Sequence, residues 1–396
     1  MSSTPHPGGH RQRFDVVIRG AGIVGQTLAL LLARDRLKVA LVGQPRPAGA
    51  GPDVRAYALN ATARELLRSV RAWPEDGAAL APADGPPAVT PVTPVTAMAV
   101  HGDGDGALHF SATEQGTEAL TWIVDVPALE QRLAHAVHFQ AGITSLDEAP
   151  AHAALTVVCE GKRSRTREEL GIDYDVRPYP HKAVAARLRC ERPHGGVARQ
   201  WFQRGEILAL LPLGGAQGNS VALVWSVPAE QADGWTTAEP QALAQAVQER
   251  CGNALGEMTP ESPAQAWPLE LSRAQRWIGR HPAGGGVALA GDAAHAMHPL
   301  AGQGLNVGLA DVAELAKVLH AREYWRELGD PRLLRRYERA RQADVSAMGW
   351  LTDGLFGLFN QPDSRVQALR NWGLSGVDRL GPLKHWLARQ AMGQAA

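Results

Sequence analysis

Apolar positions along this chain keep two periods, and the switches between them mark its organisation. Residues 14–19, Phe-Asp-Val-Val-Ile-Arg, form a short β-branched run closed by glycine, and an apolar stretch at 27–34 follows, so a strand should lead into a helix. Residues 38–42 read as the next strand. A helix is expected up to Arg71-Ala72-Trp73, and another where Leu129, Leu133, Ala136 and Val137 recur after a strand at 122–125. Residues 184–225 change to alternation in successive short runs, which predicts consecutive strands of an antiparallel sheet. The helical period returns at 241–251. A strand at 287–290 and a helix carrying Leu305, Leu309, Val312, Leu315, Ala316 and Leu319 come next, then a long charged helix at 332–348.

Two stretches break these periods. The proline-rich crossing at 81–96, with its repeated Pro-Val-Thr, can be neither helix nor central strand. Residues 98–110 read as a hairpin around the Gly-Asp-Gly-Asp-Gly at 102–106. The pattern is that of an α/β domain with an inserted antiparallel sheet and C-terminal helices. At 396 residues there is ample chain for such a core. Residues 1–13 read as a disordered leader.

Composition narrows the function classes. Forty basic residues balance 40 acidic ones, which gives no general pull toward nucleic acid. Cys159, Cys190 and Cys251 are odd in number and far apart, fitting a reducing compartment and neither a disulfide frame nor a zinc site. No metal-ligand spacing and no Ser-His-Asp arrangement stands out. The first residues lack the apolar core of a signal peptide, and no apolar run reaches the roughly 20 residues of a membrane span. A cytoplasmic protein, soluble or peripherally attached, is expected.

The glycines carry the candidate chemistry. Gly20, Gly22 and Gly25 follow the first strand as Gly-x-Gly-x-x-Gly, the spacing that lets a pyrophosphate approach a helix N-terminus. The second strand should then end in an acidic residue for a ribose, but it ends in Gly43 and Gln44, whose amide can recover part of the lost bond. The second stretch is Gly291-Asp292-Ala-Ala-His295, then His298, Pro299, Gly302-Gln303-Gly304 and Leu305-Asn306. Its small residues admit a flat group, and its glycine-rich helix entry leaves amides uncovered for something anionic, a gain of about 0.3–2 kcal/mol. In the alternating region, Trp201, Phe202, Leu211 and Pro212 are candidates for a substrate pocket, with plain sheet core as the alternative for each.

That second stretch resembles the second FAD motif of the class A flavoprotein hydroxylases, GDAAH…P…GQGxN. In that family the aspartate, here Asp292, holds the ribityl chain. The turn and helix end, here Gly302 to Asn306, sit against the flavin. The run Asp53-Val-Arg55-Ala-Tyr57-Ala-Leu59-Asn60 resembles a family segment whose arginine reaches the flavin pyrophosphate edge. Glu191-Arg-Pro-His-Gly-Gly-Val, Leu208-Ala-Leu-Leu-Pro-Leu and the tail from Leu333, including Leu369-Arg-Asn-Trp-Gly-Leu and Val377-Asp-Arg-Leu-Gly-Pro-Leu, are similar to the ubiquinone-biosynthesis (UbiH/UbiF/VisC-type) branch.

The resemblance implies a Rossmann-like FAD domain of the GR2, p-hydroxybenzoate-hydroxylase type. The expected division is 14–80, 97–168 and 270–345 for FAD, 81–96 and 169–269 for a β-rich substrate domain, and 346–396 for a C-terminal helical segment. It further implies that NAD(P)H reduces the flavin, that O2 adds at C4a, and that the hydroperoxide oxygen reaches a polyprenyl phenol or quinone intermediate. Peripheral membrane contact and association with other ubiquinone-biosynthesis proteins would accompany that role. No side chain is assigned as catalytic; His295 and His298 merely flank the flavin.

Four features depart from the family: Gly43, Glu130 where glutamine is usual, Glu160 where aspartate opens a "DG…S…R" motif with Ser164 and Arg167, and a shortened meander at 141–154. The extra carbon of Glu160 moves its carboxylate by about 1.5 Å. A shift of about 1 Å near a reacting centre can cost about a hundredfold in rate. A same-fold FAD enzyme on another lipid or aromatic, or a weakly catalytic subunit of a biosynthetic assembly, are the alternatives.

Overall fold

The computed structural model describes residues 13–43, 53–74, 90–102, 106–203, 205–296 and 304–359, the last of these with side chains as far as 346. The first apolar run forms strand Phe14–Arg19, the centre of a six-stranded sheet in the order 278–280, 286–289, 153–158, 14–19, 39–42, 143–146. All its pairings are parallel except that of the edge hairpin 278–280 with 286–289. Between 141 and 154 the shortened meander supplies one strand, Ile143–Leu146, which closes the edge beside Val39–Val42.

Helix Ile23–Arg34 packs on this sheet, and helices Val126–His138 and Gly304–His320 pack in turn on that helix, through fully buried residues such as Leu28, Leu32, Leu129, Leu133, Val312 and Leu315. Helix Pro331–Phe359 packs on the last of them through Leu333, Leu334 and Tyr337. Among the described residues no helix is long and apolar enough to cross a membrane.

The alternating region forms a nine-stranded sheet ordered 295–296, 265–274, 174–190, 220–228, 206–213, 197–203, 97–101, 107–111, with 258–260 paired beside 174–190. Its pairings are antiparallel except the parallel one between Val197–Gln203 and Ala97–His101. The hairpin 97–111 completes this large sheet, while the division expected from sequence set 97–168 with the cofactor domain. Conversely, Val92–Val95, assigned by sequence to the substrate domain, pairs with Thr121–Asp125 in a three-stranded sheet that also holds Ala56–Leu59. It is an edge strand, the place where Pro94 can sit without a ladder donor.

One face of the large sheet carries Val184, Leu188, Leu208, Leu210, Leu223 and Trp225 and is covered by helices Ala229–Thr237 and Pro240–Arg250. The other face looks toward the parallel sheet.

Backbone meets backbone at the C-terminal edge of the parallel sheet, where two adjacent strands end. Gly20 has φ +111°, and a Cβ on it would lie 2.3 Å from the Cys159 carbonyl oxygen. Gly20→Ala is therefore expected to cost about 3 kcal/mol or more, measured as a lowered thermal midpoint. An unchanged midpoint would mean the corner is looser than described.

Candidate functional site

A cavity of about 1290 Å³ lies between the C-terminal edge of the parallel sheet and the open face of the nine-stranded sheet. Its floor begins at the fingerprint, whose three glycines divide the work. Gly20 and Gly25 are needed for packing, since a Cβ at Gly25 would lie 1.9 Å from the Gly20 carbonyl oxygen. Gly22 faces open space and is the N-cap of helix Ile23–Arg34 with no side-chain cap, so its first amides point at the cavity edge uncovered. Gly43 has φ +149°, and its Cβ would meet Ala21 N at 2.9 Å. Position 43 thus has no room for the expected ribose acid; Gln44 lies outside the described residues.

The second motif lines the cavity beside the first, a Cβ on Gly291 standing 3.3 Å from Val24. Strand Gly286–Leu289 runs into a single 3-10 turn at Gly291–Ala293, with Gly291 at φ +61°. The turn presents Asp292 to the cavity, and no hydrogen-bond donor among the described residues reaches its carboxylate. Burial raises its pKa, against the opposing pull of Lys162 and His295. Gly304, Leu305 and Asn306 open helix Gly304–His320 at the same cavity, and nothing lies within 4 Å of a Cβ on Gly304. Pro299, Gly302 and Gln303, and with them His298, lie outside the described residues. The Asn306 side chain is committed to structure: Nδ2 donates to the Ala58 carbonyl at 2.8 Å, and Oδ1 accepts from Asn60 N–H at 3.0 Å.

Arg55 and Glu130 also line the cavity. The Arg55 guanidinium is gripped by Asp53 at 2.9 and 2.6 Å, with the Glu130 carboxylate 3.6 Å away. Glu160 lies at the cavity edge, yet its carboxylate is engaged by Ser164 Oγ at 2.7 Å, Thr166 Oγ1 at 2.6 Å, Thr166 N–H at 3.0 Å and Arg19 Nε at 3.2 Å. Burial opposes its ionisation, but the Thr166 and Ser164 hydrogen bonds and the Arg19 charge outweigh that and hold it below the usual glutamate range. Arg167 stacks 3.6 Å over Tyr174 and donates to the carbonyls of Ala293 and Lys162. The "DG…S…R" residues form a knot behind the second motif.

Of the four pocket candidates only Leu211 lines the cavity. Alternation explains the rest: Trp201 and Pro212 point to the face that carries Leu208 and Leu210, and Trp201 joins the helix-covered core. Phe202 is on the open face but packs against Ile207 and Val100. The open-face residues of the cavity are smaller: Ala185, Ala198, Ala209 and Ala222, with Val224, Gln200 and Met98. A further group missed by sequence is Asp311, fully buried, which accepts Gly291 N–H at 2.9 Å and bonds His295 Nε2 at 2.6 Å. Burial disfavours its charge, yet His295 and Arg341 prevail and keep it below the usual carboxylate range.

A helix start at Gly22 without a side-chain cap, a second helix opening at Gly304 and the partly buried Asp292 carboxylate, all lining a cavity of this size, suit a dinucleotide with a polyol chain. The fold and site define a flavoprotein: the family model for the FAD binding domain matches residues 107–349, and the chain belongs to that family. Its relatives give the branch. It is 31% identical over 391 residues to ubiquinone hydroxylase UbiL of Rhodospirillum rubrum, spanning 96% of this chain and 89% of that one. It is 29% identical over 410 residues to the 3-demethoxyubiquinol 3-hydroxylase of Escherichia coli, covering 96% and 99%. The fold is that of P. aeruginosa PqsL in complex with 2-aminobenzoylacetate, with a TM-score of 0.72 at 22% identity over 92% of this chain and 99% of that one. The protein is an FAD-dependent monooxygenase, as the resemblance implied.

Asp292→Asn is expected to weaken FAD binding about ten- to hundredfold, read by flavin fluorescence titration; an unchanged affinity would remove Asp292 from the site. Because the folded Glu160 pKa is lowered, its contribution to stability is present above the ordinary glutamate range and lost as pH falls through the folded value. Glu160→Gln should therefore be less stable at neutral pH and show a shallower acid limb in unfolding midpoint against pH. Parallel limbs in the two proteins would contradict this.

Proposed function

We propose that the protein hydroxylates the aromatic ring of a polyprenyl phenol in ubiquinone biosynthesis, using O2 and NAD(P)H. One observation carries the reading: the cavity that begins at the cofactor motifs continues without a wall onto an apolar sheet face of Ala185, Ala209, Leu211 and Val224. The relatives named as ubiquinone hydroxylases support the substrate class. When bound, the reduced flavin supplies the O2 chemistry, one oxygen atom going to the ring and the other leaving as water.

The chain's own part is physical. Gly22 and the helix opening at Gly304 direct amide dipoles toward the anionic parts of the cofactor. Asp292 accepts from the polyol. Alanine, valine and leucine side chains on the open face keep water from the reacting ring. No side chain in this set is a strong acid–base pair, which agrees with a reaction whose hard step belongs to the cofactor. In this reading Gly20, Gly22, Arg55, Glu130, Gly291, Asp292, Gly304 and Leu305 border the FAD, and Gly25 packs behind them. Peripheral contact with the inner membrane face and association with other ubiquinone-biosynthesis proteins belong to the same proposal, and the tail expected to carry them lies outside the described residues.

The test is mass analysis of quinone intermediates after deletion of the gene, with complementation. An accumulated polyprenyl phenol lacking one hydroxyl, cleared when the gene is restored, is the expected result. A normal quinone pool in a strain with no second hydroxylase would overturn the proposal. Purified enzyme that takes up FAD but whose NAD(P)H oxidation ignores every polyprenyl phenol would point to another aromatic or lipid substrate.

A further inference from the structure

Two charged residues occupy stripes that are otherwise apolar. Asp311 lies on helix Gly304–His320 amid buried Val307, Gly308, Val312 and Leu315, and is itself 0% exposed. Arg341, 6% exposed, lies on helix Pro331–Phe359 between Tyr337 and Val345. The two meet: Arg341 Nε donates to Asp311 Oδ1 at 2.8 Å. The other carboxylate oxygen accepts the Gly291 N–H and the His295 ring.

The same helix reaches the motif twice more. Tyr337 OH donates to the Leu289 carbonyl at 2.7 Å, and Glu338 accepts from Trp277 N–H at 2.9 Å, while the Trp277 ring stacks on His295 at 4.9 Å. Two successive turns of helix Pro331–Phe359 thus hold the strand end, the 3-10 turn and the histidine of the second motif.

We propose that Asp311 and Arg341 are positioning residues for the cofactor, and that through them docking of helix Pro331–Phe359 is thermodynamically coupled to FAD binding. Asp311 fixes the peptide N–H of Gly291, whose left-handed conformation aims the next side chain, Asp292, into the cavity. A carboxylate with no exposure is tolerated only with its charge compensated. Removal of Arg341 leaves Asp311 short of its cation, and the turn it holds must shift. Coupling of this kind is reciprocal, so a ligand that fixes the Asp292 turn also holds the helix down. The inference rests on the cofactor and not on the identity of the phenol.

The experiment compares wild type with Arg341→Met, Arg341→Lys and Asp311→Asn, measuring FAD dissociation constants and thermal midpoints of apoprotein and FAD-saturated protein. Arg341→Met and Asp311→Asn should weaken FAD at least about tenfold and shrink the rise in midpoint that FAD produces, and Arg341→Lys should recover much of both. Variants with a lower apoprotein midpoint but wild-type FAD affinity would reduce the network to a stability element and overturn the proposal. If the variants fail to fold, amide exchange on the wild type decides. Residues 331–346 should exchange at least about tenfold more slowly with FAD bound, and exchange that ignores FAD contradicts the coupling.

Discussion

The cofactor half of this molecule depends on how closely backbone approaches backbone between its first and second motifs. Helices Ile23–Arg34 and Gly304–His320 can both start at one cavity because Gly308 gives way to Val24: a Cβ there would stand 3.1 Å from Val24 Cγ2 and 3.3 Å from Gly291 Cα. Gly20 and Gly25 do the same for the strand and its helix. With these contacts in place, two helix N-termini and the Asp292 turn converge around the Val24 side chain. Of the three fingerprint glycines, Gly20 and Gly25 are packing solutions and Gly22 has open space beside it.

The large sheet extends that site because its two faces are unlike. One is filled by leucine, valine and tryptophan under two helices, and the other is floored by alanines that leave volume beside the cofactor. The halves are tied by charge as well. Arg187, on strand Tyr174–Cys190 of the large sheet, pairs with Asp125, the N-cap of helix Val126–His138, and donates to the Asp53 carbonyl at 3.1 Å. Asp53 in turn grips Arg55 at the cavity wall. A buried pair of this kind adds little net stability over an apolar contact, but breaking it is costly, so it ties the large sheet to the three-stranded one that ends at Asp125.

Much of this was legible in the residues. Glycine spacing and the Gly291-Asp292 string declare the cofactor wall because turn geometry is local and few residues satisfy it. The strand content of 184–225 was equally plain from alternation, yet alternation does not say which face is which. Trp201 and Pro212 therefore stood as pocket candidates with sheet core as the alternative, and both lie on the face that carries Leu208 and Leu210. The hairpin was recognised at 98–110, but its pairing with Val197–Gln203, about a hundred residues onward, was not. Pro94 argued against a helix or a central strand, and Val92–Val95 is an edge strand, where a proline is tolerated. Asp311 and Arg341 left a readable sign, a lone charge on each of two apolar stripes, but their meeting is a long-range contact that no local pattern encodes. Glu160, in sequence a departure, is in space the partner of Ser164, Thr166 and Arg19.

The central claim is that these converging backbone groups hold one flavin. Purified protein incubated with excess FAD and passed through gel filtration should elute with one equivalent of FAD per chain, read from its visible absorption against protein concentration. Protein that elutes colourless, and leaves the fluorescence of added FAD unchanged at micromolar concentration, would contradict the account.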